Sequence, residues 1–372
     1  MKKTSEQIRV LISGGGTGGH IFPAIAIAQA IRKLNPQSEF LFIGAQDKME
    51  MEKVPAAGFE IKGLWISGFQ RSLSLKNLLF PIKLVCSLFK AKRIIAQFEP
   101  HVVVGVGGFA SGPTLFMAHR AGIPSLIQEQ NSFPGITNKL LANKVNRICV
   151  AYPEMNRYFP PEKLIETGNP IRRHVIQIEG KRESAFDYFN LSKSKKTVLL
   201  IGGSLGAQSI NQAIMAQFEK WSKANFQFIW QTGITGIEAA QSIIGENKIT
   251  HIKAYKFITE MDLAYAAADL VISRAGAIAI SELSATAKAC IFIPLPSAAE
   301  DHQTKNAQSL VHKQAAILIP DCEVAKSLFE TCQMLLNNQK ELEYLRTNIK
   351  KFAKQDADIE IANEVLKLIK WS

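Results

Sequence analysis

Apolar and polar positions along this chain separate into short, nearly continuous apolar runs and longer mixed stretches. The first half carries "IRVLIS" (8–13), "EFLFIG" (39–44), "HVVVGVGG" (101–108), "PSLIQE" (124–129) and "RICVA" (147–151). The second half carries "TVLLIGG" (197–203), "FQFIWQTG" (226–233), "ADLVIS" (268–273), "ACIFIPL" (289–295) and "AAILIP" (315–320). Runs rich in β-branched residues, with few polar interruptions, suit strands buried on both faces. Helix-like stretches separate most of them, such as "FPAIAIAQAIRKL" (22–34) and "SLFKAKRIIAQF" (87–98). Strand alternating with helix predicts an α/β fold of parallel sheets covered by helices.

The halves repeat one plan. Each opens with a strand that runs into glycines, "VLISGGGTGG" at 10–19 and "VLLIGGSLGA" at 198–207. Between them lie "TGNPIRRHV" (167–175) and the polar stretch 178–196, which places the hinge near 165–175. The pattern predicts two Rossmann-like domains facing a deep cleft, residues 1–166 and 167–355. An amphipathic helix over about 356–372 is expected to pack back on the first domain.

Composition narrows the class. Of 372 residues, 47% are apolar, enough for a sizeable core and too many for a disordered chain. Lys and Arg number 44 against 32 Asp and Glu, and the excess of 44 − 32 = +12 points to an anionic partner. Nucleic acid fits poorly, because no interleaved aromatics or known module accompany the charge. The five cysteines form no CxxC pair or zinc-ligand spacing and read as reduced cytosolic thiols. The basic N-terminus precedes an apolar run too short for a signal peptide. No stretch approaches the ~18 uncharged residues of a spanning helix, so any membrane contact is expected to be peripheral.

Candidate chemistry lies in the glycine loops. Residues 14–19 hold five glycines in six positions, followed by His20 and Pro23. A strand that stops at glycines and restarts as a helix presents amide N–H groups and the positive helix end to an anion. Pro23 suits the first turn of that helix. The spacing of Gly14, Gly16 and Gly19 approaches the dinucleotide fingerprint, but Gly44 stands where an acidic residue would end the second strand. A nicotinamide or flavin dehydrogenase is therefore disfavoured. His20, where the loop becomes helix, is positioned to act as a general base. "GGSLGAQSIN" (202–211) and "GVGGFASGP" (105–113) are two further loops of this kind, and Ser204 adds a hydroxyl within reach of a phosphate. In "ADLVISRAGAIAISEL" (268–283) a helix begins near Ala277 and carries Glu282, a carboxylate suited to ribose hydroxyls.

These motifs carry a resemblance. "GGTGGHIFPA", "GFASGP", "QEQNSFPGITNK", "TGNPIR", "GGSLGAQSIN", "FITEMDLAYAAADLVISRAGA" and "DHQTKNA" occur in this order along nearly the whole chain. Together they resemble the MurG family of GT-B glycosyltransferases. The resemblance implies inverting transfer of N-acetylglucosamine from UDP-N-acetylglucosamine to the C4 hydroxyl of the muramyl sugar of lipid I. Lipid II and UDP are the products. It places the nucleotide on the C-terminal domain and the acceptor mainly on the N-terminal one. The diphosphate would meet Ser204 and the helix start Ala277, Ile278, Ala279, Ile280 and Ser281. Glu282 would hold the ribose, Phe257 and Ile258 would flank uracil, the Ile258 backbone reading its edge, and Arg172 would neutralise phosphate. Thr17, Gly18, Gly19, Asn131, His302 and Gln303 would surround the sugar. Gly15, Gly16, Gly107, Gly108 and Ser111 would face the acceptor diphosphate. His20 is the preferred base and Glu129 of "QEQN" its rival.

No metal or other cofactor is implied. The D-x-D of Asp356 and Asp358 falls in the expected last helix, where it reads as solvated surface. A lipid-linked acceptor requires peripheral docking on the cytoplasmic face of an anionic membrane. Residues 72–94 supply a candidate: Leu75, Leu78, Leu79 and Ile82 at helical spacing, with Lys76 and Lys83 beside them, although Pro81 breaks that helix. Trp65 and Phe69 extend the patch. Other cell-wall synthesis proteins are further candidate partners. The alternative reading is a UDP-N-acetylglucosamine 2-epimerase of the same fold, which would need catalytic carboxylates and no lipid-facing patch.

Overall fold

The computed structural model describes residues 7–68, 79–203 and 206–369. Phe69, Leu75, Lys76, Leu78 and Ser204 lie outside the described residues. The chain divides into two compact units, residues 1–171 with 354–372, and residues 172–353. The division falls between Ile171 and Arg172, a few residues after the expected 166/167.

Unit 1 holds strands β1 (Arg9–Ser13), β2 (Glu39–Ala45), β3 (Glu60–Leu64), β4 (Val102–Gly105), β5 (Ser125–Glu129), β6 (Arg147–Val150) and β7 (Leu164–Glu166). They form one parallel sheet in the order β3-β2-β1-β4-β5-β6-β7. Unit 2 holds β8 (Lys196–Ile201), β9 (Phe226–Gln231), β10 (Ile252–Tyr255), β11 (Leu270–Ser273), β12 (Ala289–Phe292) and β13 (Ile317–Leu318). Its parallel sheet runs β10-β9-β8-β11-β12-β13. Each is a doubly wound α/β sheet. Strand order reverses between β1 and β4, and between β8 and β11. The carboxyl ends of those strands are where such sheets bind ligands.

Alternation along β1 explains the continuous apolar run. Val10 and Ile12 pack on one face with Ile21, Ile27 and Ile31 of the Gly18–Leu34 helix, and Leu11 packs on the other with Val103 and Ile127. Each such side chain taken fully from water stabilises the fold by roughly 1.5–3 kcal/mol. The Ala357–Lys367 helix belongs to unit 1 and adds Ile361, Ala362 and Val365 to the first of these faces. In unit 2, Val198 and Leu200 face a cluster containing Trp221, Phe228 and Trp230, while Leu199 faces Tyr265 and Val271.

Two expectations are corrected. Pro81 does not break a helix; it sits in the first turn of Phe80–Phe98, where its missing N–H costs nothing. Leu79 therefore precedes this helix, and of the four residues at 75, 78, 79 and 82 only Leu79 and Ile82 are among those described. Asp358 is not solvated. It is buried in the first turn of Ala357–Lys367, where the helix dipole favours a carboxylate, while Asp356 is exposed just before it. No helix among the described residues is long and apolar enough to cross a membrane.

Candidate active site

In unit 1 the chain leaves β1 at Ser13, turns through Gly14–Thr17 and enters the helix at Gly18. The turn is built on a carboxylate that sequence reasoning missed. Glu50 is 1% exposed. Its two oxygens accept the Gly16 N–H at 3.1 and 3.0 Å, and Oε1 also accepts the Ala45 N–H at 2.9 Å. A Cβ on Gly15 would lie 2.1 Å from Oε1, so only glycine fits there. The Gly16 amide expected to face a diphosphate is therefore already given to Glu50. A glutamate opening the Glu50–Ala56 helix was the available signal.

His20 lies half-buried against this turn. Its Nδ1 is 3.0 Å from the Gly15 carbonyl oxygen and 3.2 Å from Thr17 Oγ1. A carbonyl only accepts, so Nδ1 carries the proton and the lone pair of the neutral ring is on Nε2. A Cβ on Gly107 would sit 2.9 Å from Nε2, and one on Gly108 would sit 2.3 Å from the Gly15 oxygen. The two loops thus meet backbone against imidazole and backbone against backbone. Buried Ser111 donates to the Gly108 carbonyl at 2.8 Å, so its proton braces its own loop rather than awaiting an acceptor. Beside Gly15 and Gly16 lies a cavity of about 300 Å³, also lined by Lys48, Ser67, Gly68 and Phe109. Lys48 is a cation at this site that the motif reading did not single out.

Glu129, the rival base, ends β5 and is 2% exposed. It accepts from the Asn131 N–H at 3.0 Å, Asn131 Nδ2 at 3.3 Å, the Gly135 N–H at 3.1 Å and Asn138 Nδ2 at 2.8 Å. A carboxylate engaged by four donors shapes the 131–138 loop. Asn131, expected at the sugar, is bound to it.

In unit 2, β11 ends at Ser273 and the Ala277–Ala285 helix follows. Arg274 anchors the turn between them: its guanidinium donates to the Ile293 and Pro294 carbonyls at 3.1 Å each and to Ser209 Oγ at 2.9 Å. Gly276 caps the helix without a side-chain hydrogen bond, and the first turn carries no acid. The N–H groups of Ala277, Ile278 and Ala279 head a helix whose dipole favours an anion. Ala277 and Ile280 bury their side chains, and Ser281 Oγ donates to the Ala277 carbonyl at 2.9 Å.

Glu282 and Arg172, expected on separate parts of the nucleotide, are paired with each other. Glu282 is 4% exposed; its Oε1 accepts Arg172 Nη2 at 3.0 Å and Nε at 3.3 Å, and its Oε2 accepts the Tyr265 hydroxyl at 3.1 Å. A carboxylate this deep requires charged or polar partners. Burial, with the Glu282 charge added, pushes the Tyr265 hydroxyl pKa well up, so it stays a donor. Phe257 is 56% exposed, whereas Ile258 is in the core and its N–H donates to Gln231 Oε1 at 3.1 Å. Of that expected uracil pair, only Phe257 presents its side chain. His302 and Gln303 open the His302–Val311 helix. His302 is half-buried, and Gln303 Oε1 accepts the Leu295 N–H at 2.9 Å. Among the described residues no cluster of His, Cys, Asp or Glu is arranged to hold a metal ion.

The Phe80–Phe98 helix of unit 1 exposes Ile82, Val85 and Phe89, and Leu79 and Trp65 are exposed as well. Lys83, expected to point to lipid, folds back: its Nζ lies 5.5 Å from the Trp65 ring centroid and donates to Ser67 Oγ at 3.0 Å. Lys90, Lys92 and Arg93 are exposed farther along the helix.

Comparison with known proteins agrees with this two-unit architecture. Residues 10–150 match the glycosyltransferase family 28 N-terminal domain, and residues 197–361 match the family 28 C-terminal domain. The UDP-N-acetylglucosamine--N-acetylmuramyl-(pentapeptide) pyrophosphoryl-undecaprenol N-acetylglucosamine transferase of Flavobacterium psychrophilum is 50% identical, with 98% of each chain covered. The protein of the same name from Christiangramia forsetii is also 50% identical, again covering 98% of both. The crystal structure of Acinetobacter baumannii MurG superposes with a TM-score of 0.78 at 27% identity, covering 97% of this chain and 99% of that one. A UDP-GlcNAc 2-epimerase from Neisseria meningitidis shares the fold, with a TM-score of 0.66 at 13% identity over 97% of this chain and 100% of that one.

Proposed function

The chain belongs to glycosyltransferase family 28, among the MurG transferases, and on that premise we propose that it converts lipid I to lipid II. N-acetylglucosamine moves from UDP-N-acetylglucosamine to the C4 hydroxyl of the lipid-linked muramyl sugar. The observation that carries this reading is 50% identity to the named transferases over 98% of the chain. The epimerases share only the fold, at 13% identity.

The chain's own groups support a one-step displacement. His20 Nε2 takes the C4 hydroxyl proton as that oxygen bonds to the anomeric carbon. The bond from that carbon to the diphosphate oxygen breaks, UDP departs with the electron pair, and configuration inverts. His20 is favoured over Glu129 because the four donors on Glu129 commit it to its loop. In unit 2, the helix start at Ala277–Ala279 seats the diphosphate. Arg172 and Glu282 form an exchangeable pair, the carboxylate turning to ribose and the guanidinium to phosphate as donor enters. These groups supply the charge a metal would otherwise supply, and we propose a metal-independent transfer. Lys48 and the cavity beside Gly15 offer a seat for the acceptor diphosphate.

The acceptor's lipid tail fits docking through the exposed Ile82, Val85 and Phe89 face, with Lys90, Lys92 and Arg93 toward anionic headgroups. On this reading the protein acts peripherally, on the cytoplasmic face of the membrane. The test of the reaction is product identity. With a shortened lipid I analogue and UDP-N-acetylglucosamine, a β-linked disaccharide-lipid should form, one per UDP. Appearance of UDP-N-acetylmannosamine without acceptor would instead identify an epimerase.

A further inference from the structure

The Gly15–Gly16 peptide is held at both ends by titratable side chains. Its N–H, on Gly16, donates to both oxygens of buried Glu50 at 3.1 and 3.0 Å. Its carbonyl, on Gly15, accepts from His20 Nδ1 at 3.0 Å. One peptide unit therefore lies between a carboxylate and an imidazole. Peptide resonance couples the two ends: an anion on the N–H side drives electron density onto the carbonyl oxygen, making it a stronger acceptor. We infer that Glu50 is a positioning residue for the transfer, acting on His20 through the Gly15–Gly16 peptide as a carboxylate acts directly on histidine in a catalytic dyad. The inference rests on His20 being the base.

The packing around this relay fixes its geometry. The Glu50 carboxyl occupies the space a Gly15 side chain would fill, and the Gly107 backbone backs the His20 ring. Glu50 receives only N–H donors in the contacts described, which suits its ionised form. Other charged groups near the cluster in unit 1 are Lys48, on the cavity beside Gly15 and Gly16, and Glu129, whose bond to Asn138 brings it toward Gly107. Neither is bonded to the Gly15–Gly16 peptide in the contacts described. The relay has two consequences. It locks the neutral ring with its proton on Nδ1, and it makes Nε2 a stronger base than an isolated imidazole in the same place.

The test is an NMR titration of His20 with 15N-labelled imidazole in the full chain, for wild type and Glu50→Gln. The wild-type neutral ring should be the Nδ1–H tautomer, and the His20 midpoint should move to lower pH in the variant. Turnover with acceptor at neutral pH should fall about tenfold, and the acid limb of kcat/KM should shift the same way. In a His20→Ala background, Glu50→Gln should cost no further activity. An Nε2–H tautomer in the wild type overturns the relay even if the variant does not fold. An unmoved His20 midpoint in a folded Glu50→Gln variant also overturns it, leaving Glu50 as a loop brace. A shifted midpoint with an unmoved kcat/KM limb upholds the relay and rejects His20 as the base.

Discussion

Glu50 in unit 1 and Glu282 in unit 2 are both buried carboxylates near the switch points of their sheets, at 1% and 4% exposure, and they are satisfied in opposite ways. Glu50 takes backbone N–H groups from Gly16 and Ala45, groups that cannot leave without remaking the turn. Glu282 takes side-chain donors, Arg172 and Tyr265, and the arginine is 33% exposed. A carboxylate bonded to backbone fixes a shape, whereas one bonded to a partly exposed guanidinium can change partners when an anion arrives. In the function proposed here, the first arrangement would give a rigid wall for proton transfer and the second an adaptable seat for a nucleotide.

The contrast is most sharply tested at His20. His20→Ala should lower turnover by about 10²–10⁴-fold while UDP binding, measured by calorimetry, stays near wild type. Loss of UDP affinity in parallel would show that unit 1 shapes the donor seat and would erase the division of labour. Glu282→Ala should act on the other side, weakening UDP-N-acetylglucosamine binding about tenfold, or ~1.4 kcal/mol. Unchanged donor affinity would return Glu282 to the role of a buried partner for Arg172. Phe89→Asp should reduce flotation with anionic vesicles several-fold without altering binding of soluble UDP. Equal flotation of the variant would move the docking surface elsewhere.

The smallest effect is a control at the amino ends of the unit 2 strands. Lys288 is buried, its Nζ donates to the Ala268 carbonyl at 3.0 Å, and burial lowers its pKa from 10.5 to about 8. Between those values the unfolded chain binds more protons than the folded one, so stability rises with pH. Thermal unfolding should show that rise between pH 8 and 10 in the wild type and lose it in Lys288→Met. Donor affinity should be the same in both, because Lys288 lies at the opposite end of β12 from the proposed site. A change in affinity would tie the two ends together.

Legibility in the sequence followed burial. The interior strands, covered on both faces, stood out as apolar runs. Three strands escaped: β3 "EIKGL", β7 "LIE" and β10 "IKAY", all at sheet edges, where partial exposure admits Lys and Glu. The glycine turns were legible because strand, glycine and helix are contiguous. Their supports were not. Glu50 lies 34 residues from Gly16, and Arg172 lies 110 residues from Glu282, so neither pairing leaves a local trace. The sequence preferred His20 over Glu129 as the base, but the four donors on Glu129, drawn from residues 131–138, could not be read from it.

The measurement that bears most directly on the account is the rate of UDP release from UDP-N-acetylglucosamine, with and without a lipid I analogue bearing a shortened prenyl chain. The account predicts release that depends on acceptor and is nearly abolished in His20→Ala. Release at the same rate without acceptor, or no release despite tight UDP binding, would contradict it.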